Sequence, residues 1–212
     1  MNNYAKLATG IIFAWFLFAL TASALHLFKN DANRIGLAVA IAALAPIVLF
    51  SVWFAASDSF RHFVLSLNPR ILTSVQAWRM VGFTFVLLQA RSMLPAVFAL
   101  PAGYGDMVIG ATAAFVAWKL ANPAHRNSFV LWQLLGIADL VNAVAVGTTA
   151  GWISPQGPTM APMTVLPLSL IPTFLVPLFL ILHVICIVQA RSWKVASVPT
   201  HHTPKPAQGA AI

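Results

Sequence analysis

Six times in 212 residues the chain runs for twenty residues or more with almost no charge. The stretches cover about 7–28, 35–56, 71–90, 101–120, 128–150 and 164–190. A helix of about 20 apolar residues matches the hydrocarbon thickness of a bilayer. In hydrocarbon no water pairs with the backbone, so such a segment satisfies its own N–H and C=O groups by becoming helical. The expected fold is therefore all-α: a polytopic integral membrane protein with six transmembrane helices in a bundle. One transmembrane domain spans 1–194, and the Pro-, Thr- and His-containing tail 195–212 reads as disordered and cytoplasmic. The run 93–100, bracketed by Pro95 and Pro101, is too short for a seventh span. It is expected to extend the third helix or to form a bent interfacial segment.

Composition excludes the alternatives. Only 8% of residues are charged, with four aspartates and no glutamate, whereas a soluble domain carries about 25%. A soluble fold of this size could not cover its outside. The net charge of +8 does not indicate nucleic acid, because the twelve basic residues are scattered through short connections without a basic face. Cys186 is the single cysteine, which leaves no intrachain disulfide. There is no P-loop, H-E-x-x-H, C-x-x-C or G-x-S-x-G motif, and the expectation leans away from an enzyme.

Six spans place both termini on one face. Lys6, Arg61, Arg70, Lys119, Arg126, Arg191, Lys194 and Lys205 collect there, against Lys29, Arg34 and Arg91 on the other. The excess marks the cytoplasmic side. Trp53, Trp78, Trp118, Trp132 and Trp193 fall near the same helix ends, where an amphipathic ring favours the headgroup layer. Compact size and short loops suggest a bacterial inner membrane. The bilayer is then the main partner, with a second copy or a membrane-complex subunit as further candidates. A rival reading takes residues 1–24 as a signal peptide, because Ala22-Ser23-Ala24 follows the apolar run.

Two local patterns stand out. Phe60, Phe63, Val64 and Leu67 recur at i, i+3, i+4, i+7, which predicts a short amphipathic helix at the interface, ended by Asn68-Pro69. Gln89-Ala-Arg-Ser92 recurs as Gln189-Ala-Arg-Ser192, a hint of two inverted halves.

The candidate functional residues are the polar ones inside the spans. An ionisable side chain at mid-membrane costs about 2.5–3.5 kcal/mol on insertion scales and normally faces protein. Asp106 shares a stripe with Gly103, Gly110, Ala113 and Ala117 at steps of three and four, so it should face a neighbouring helix. Gly103 and Gly105 before it are hinge candidates. Asp139 lies near mid-membrane in the fifth span, with Asn142 and Gln133. In the third span Gln76, Arg79, Gly82 and Gln89 share a face. Depth matching suggests two ion pairs, Arg79–Asp139 and Arg91–Asp106, since pairing decides whether a buried carboxyl stays charged. His183 is the one histidine deep in a span, while His26 sits at the opposite side, so a bis-histidine haem lacks its second ligand and no cofactor is expected. No metal site is expected either. Pro167, Pro172 and Pro177 break the sixth span, and Pro172 and Pro177 are further hinge candidates.

Together these features suggest a transporter-like or channel-like protein for a small solute or proton. Asp106, Asp139, Arg79, Arg91, Asn142 and His183 are the candidate ligand or proton groups. A non-catalytic subunit of a larger membrane complex, and a haem or quinone redox protein, are the alternatives.

Overall fold

The computed structural model describes residues 3–29 and 36–193. The tail 195–212, with His201 and His202, lies outside the described residues, as do Asp31, Arg34 and Lys194. The described residues are mostly helical and contain no strand. We number the helices α1 (Asn3–Ala24), α2 (Leu37–Ala56), α3 (Asp58–Leu65), α4 (Pro69–Ala90), α5 (Ala96–Leu120), α6 (Pro123–Ile153) and α7 (Ile171–Arg191). All but α3 are long and apolar enough to cross a membrane.

Among the boundaries that differ from the sequence reading, three change the picture. The first helix ends at Ala24 and not at 28, because residues 25–28 fold into a turn in which His26 adopts a left-handed φ of 56°. The fourth begins at Ala96, five residues early, so the segment 93–100 becomes largely its first turn and Pro101 lies inside it. Pro101 is the sixth residue of the helix, past the first four whose N–H groups have no intrahelical acceptor, so its missing N–H leaves the Val97 carbonyl without that bond. The last span starts at Ile171 and not at 164. Pro167 belongs to the irregular segment before it, while Pro172 and Pro177 sit in opening turns, where a missing N–H is best tolerated.

Inside α4, residues Gln76–Gly82 wind as a 3-10 helix. Three residues per turn bring side chains at i and i+3 into line. Gln76, Arg79 and Gly82 therefore point the same way and all three are buried. Against this turn α5 presses the small-residue stripe expected from sequence: Gly103, Gly110, Ala113 and Ala117 are all buried. A β-carbon on Gly110 would come within 2.6 Å of the Met80 backbone nitrogen, and one on Gly103 within 3.0 Å of the Gly82 carbonyl. The two helices meet backbone to backbone.

The predicted helix after Ser57 is present as α3. The Ser57 side chain caps it by accepting from the Phe60 N–H, and Arg61 pairs with Asp58 on its outer side. Phe60 stacks on Trp53 with ring centroids 3.9 Å apart, and Phe60, Val64 and Ile185 form a small core. Gln189 of α7 donates to the terminal carbonyls of this segment, at 2.7 Å to Leu67 and 3.2 Å to Leu65. Its sequence counterpart Gln89 makes no such bond, so the repeated Gln-Ala-Arg-Ser does two different things. Trp132 also departs from the interfacial reading: it is buried, donates to Thr112 at 2.9 Å and lies beside the His183 ring.

Helices α4 to α7 form the inner bundle. On its outside, α1 hooks to α7 and the segment before it, with Trp15 donating to the Thr173 carbonyl and Ser169 to Ser23. Helix α2 runs along α7 and α3 with no buried residue at all.

Candidate functional site

Arg79 is 1% exposed at the centre of the inner bundle, and its guanidinium reaches three other helices. Nε donates to Asp106 Oδ1 of α5 at 2.7 Å, and Nη2 donates to Asp139 Oδ2 of α6. Nη1 donates to the Gly136 carbonyl of α6 at 3.2 Å and faces His183 Nε2 of α7 at 3.2 Å. A guanidinium has five donors in a fixed fork and no acceptor, so it can hold four partners that an ammonium could not.

That geometry fixes the histidine. Arg79 can only donate, so Nε2 of His183 must accept, and its proton resides on Nδ1. Nδ1 faces Gln133 Oε1 and donates to it. Gln133 Nε2 then donates to Thr73 Oγ1 at 3.1 Å, and the Thr73 hydroxyl lies 3.7 Å from Cys186 Sγ. The result is one directed chain from Arg79 through His183 and Gln133 to Thr73, with every member of it buried. Both ring nitrogens of His183 are engaged, so neither offers a lone pair to a haem iron. Among the described residues no three metal-binding side chains cluster.

Glycines make the site possible. A β-carbon on Gly136 would enter the His183 ring, one on Gly105 would strike the Asp139 carboxylate, and one on Gly82 would strike Asp106. Gly103 and Gly105, read from sequence as hinges, lie in unbroken helix and serve close approach.

The pair Arg79–Asp139 is present as the sequence suggested. The pair Arg91–Asp106 is not, and this corrects the depth assignment. Arg91 is exposed just beyond the end of α4, whereas the close packing at Gly82 and Gly103 sets Asp106 directly over Arg79. One arginine thus serves both aspartates. Asn142 is exposed on α6 and takes no part. Thr73, Gln133 as partner of His183, and Cys186 were not grouped with Arg79 in the sequence. The signal was there in part: Thr73, Gln76 and Arg79 recur at steps of three, the 3-10 spacing.

Two features bear on chemistry. The node holds two carboxyl groups for one guanidinium, so it carries one acidic group in excess. The exposure is also one-sided: the Arg79 side chain is 0% accessible, while those of Asp106 and Asp139 are 14% and 15% accessible. Asp106 in turn lines a cavity of about 500 Å³ walled by α2, α5, α6 and α7, whose other walls are almost wholly apolar. Pro172 lines the same cavity, and Pro177 is buried one turn and a half beyond it. Whatever reaches the node therefore meets carboxylate oxygens, which accept, and no free donor of Arg79.

Neither a curated protein nor a solved structure matches this sequence. One family model does, described as a domain of unknown function (DUF8737), and it matches residues 32–191. The match takes in α2 to α7 and every member of the Arg79 node. Since it extends over well more than half of the sequence, the chain belongs to the DUF8737 family.

Proposed function

We propose that this is a six-span integral membrane protein, with both termini in the cytoplasm of a bacterial cell, that takes up and moves a proton or small solute at the Arg79–Asp106–Asp139 node. The observation that carries the reading is the excess of one accessible carboxyl over a sealed guanidinium. A second carboxylate whose charge the single guanidinium does not neutralise is costly in a low-dielectric interior, so it holds a proton or a positive charge. When that charge leaves, Arg79 is the only cation in reach among the described residues, and the node tightens around it. When a charge arrives, one aspartate is released from Arg79. Each aspartate stands on a different helix, so this exchange shifts α5 against α6. The opening turns of α7, with Pro172 and Pro177, give a segment able to bend between two such states.

The exposed apolar surface supports the membrane reading: Phe13, Phe18, Leu37, Leu49, Trp78 and Trp152 all project outward. The excess of basic residues on the terminal face supports the orientation.

The test is proton flux into liposomes loaded with a pH-sensitive dye. Protein-dependent flux is expected, reduced about tenfold or more in Asp106→Asn and in Asp139→Asn, in line with the loss of a group essential to transport. Wild-type protein without flux above empty liposomes, or flux unchanged in both variants, contradicts the reading.

A further inference from the structure

The cavity beside the node says more about what it takes. It lies between α2 and α6, two helices that barely touch although both present small residues to each other, Ala40 and Ala43 on one side and Gly147 and Gly151 on the other. Small residues in membrane helices normally let two backbones close together. Here the faces stand apart and enclose a space of about 500 Å³, the size of a cavity that holds a drug-sized molecule. Its walls are apolar apart from Asp106 and the hydroxyls of Thr148 and Thr164, which donate to the Ala145 and Ala161 carbonyls of their own turns.

We propose that this cavity receives a lipophilic cation, a molecule with one positive charge on an apolar body, arriving from the lipid between α2 and α6. The charge would rest against Asp106 and replace the proton of the spare carboxyl, while the body fills the apolar space. The inference rests on the reading of the node as a ligand site and specifies the class of that ligand. Charge and hydrogen bonding both select it. An anion would meet the carboxyl of Asp106, and Arg79, sealed beneath it, offers it nothing. A quinone or other neutral carbonyl headgroup could accept from that carboxyl while it keeps its proton, but brings no charge to take the proton's place. A hydrated metal ion would exchange its water for one carboxyl and two threonine hydroxyls among apolar walls.

Saturable binding of labelled tetraphenylphosphonium to the purified full-length protein tests this, with tetraphenylborate as an anion of the same shape. We expect stoichiometric binding of the phosphonium and, in a separate titration because the two ions precipitate each other, no saturable binding of the borate. Affinity should fall about tenfold or more in Ala43→Phe, which fills the cavity from the peripheral helix α2, and in Asp106→Asn, which removes the countercharge. Ala43→Phe alters no member of the node, so it remains informative should Asp106→Asn fold poorly. No saturable binding to folded wild-type protein overturns the proposal, as does equal binding of the borate or undiminished binding in Ala43→Phe. The outcome separates from that of the proposed function: proton flux without phosphonium binding removes the ligand class and keeps the transport reading, whereas binding without any flux keeps the site and removes transport.

Discussion

Helices α2 and α5 are both long and apolar enough to cross a membrane, yet they are put to opposite uses. Helix α2 is among the most apolar of the six long helices and buries nothing; α5 is the least apolar of them and is buried the most. In water this ranking would be inverted. In the membrane setting proposed above, lipid is as apolar as leucine, so burying leucine against protein gains little, and only close backbone packing and polar contacts favour one helix neighbour over another. Helix α5 has both, in Gly103, Gly110 and Ala113 against the 3-10 turn and in Asp106 against Arg79. Helix α2 has neither, and its side toward α6 is left as a cavity wall.

That contrast ranks the consequences of substitution. Removing the guanidinium in Arg79→Met strands two aspartates and frees the Gly136 carbonyl and His183 Nε2. Breaking a buried ion pair from one side typically costs ~3–5 kcal/mol, so the variant should show the largest loss of thermal stability in detergent; a small shift would mean that the aspartates find other partners. Next comes Gly105→Ala, whose β-carbon strikes the Asp139 carboxylate; overpacking of this kind costs about 1–3 kcal/mol, and the same unfolding assay reads it. Gln133→Leu leaves the His183 Nδ1–H without an acceptor and removes a donor to Thr73, a loss of about 1–3 kcal/mol that Gln133→Glu, which still accepts from the ring, should partly recover. At the far end, Val48→Ala or Leu49→Ala on the outward side of α2 should change stability by no more than about 0.5 kcal/mol. A larger loss at α2 would show that its outer face is covered by protein, and the comparison with α5 would break.

Much of this was legible in the sequence. Span number follows from length and lack of charge, and the α5 stripe follows from steps of three and four among small residues. The short helix α3 follows from its Phe60, Phe63, Val64 stripe. What could not be read is depth to within a turn. The Arg91–Asp106 pairing rested on counting residues from helix ends, and α5 begins five residues before the place that Pro101 suggested. The 3-10 winding of Gln76–Gly82 was hidden too. It coincides with the backbone contact at Gly110, which no local propensity records. The cavity was hardest to foresee, because small residues facing each other ordinarily predict contact.

The central claim is that the spare carboxyl at Arg79 is kept to bind a charge and not to hold the bundle together. Proton flux through the triple variant Arg79→Met, Asp106→Leu, Asp139→Leu tests it most directly. Exchanging a buried ion cluster for apolar residues of similar volume is often neutral for stability, so the variant should fold and lose much less thermal stability than Arg79→Met alone, the remaining loss being the donor to the Gly136 carbonyl and His183 Nε2. Reconstituted in dye-loaded liposomes, it should pass protons no faster than liposomes without protein. A folded triple variant with wild-type flux would show the node to be a brace, and the transport pathway would have to lie elsewhere.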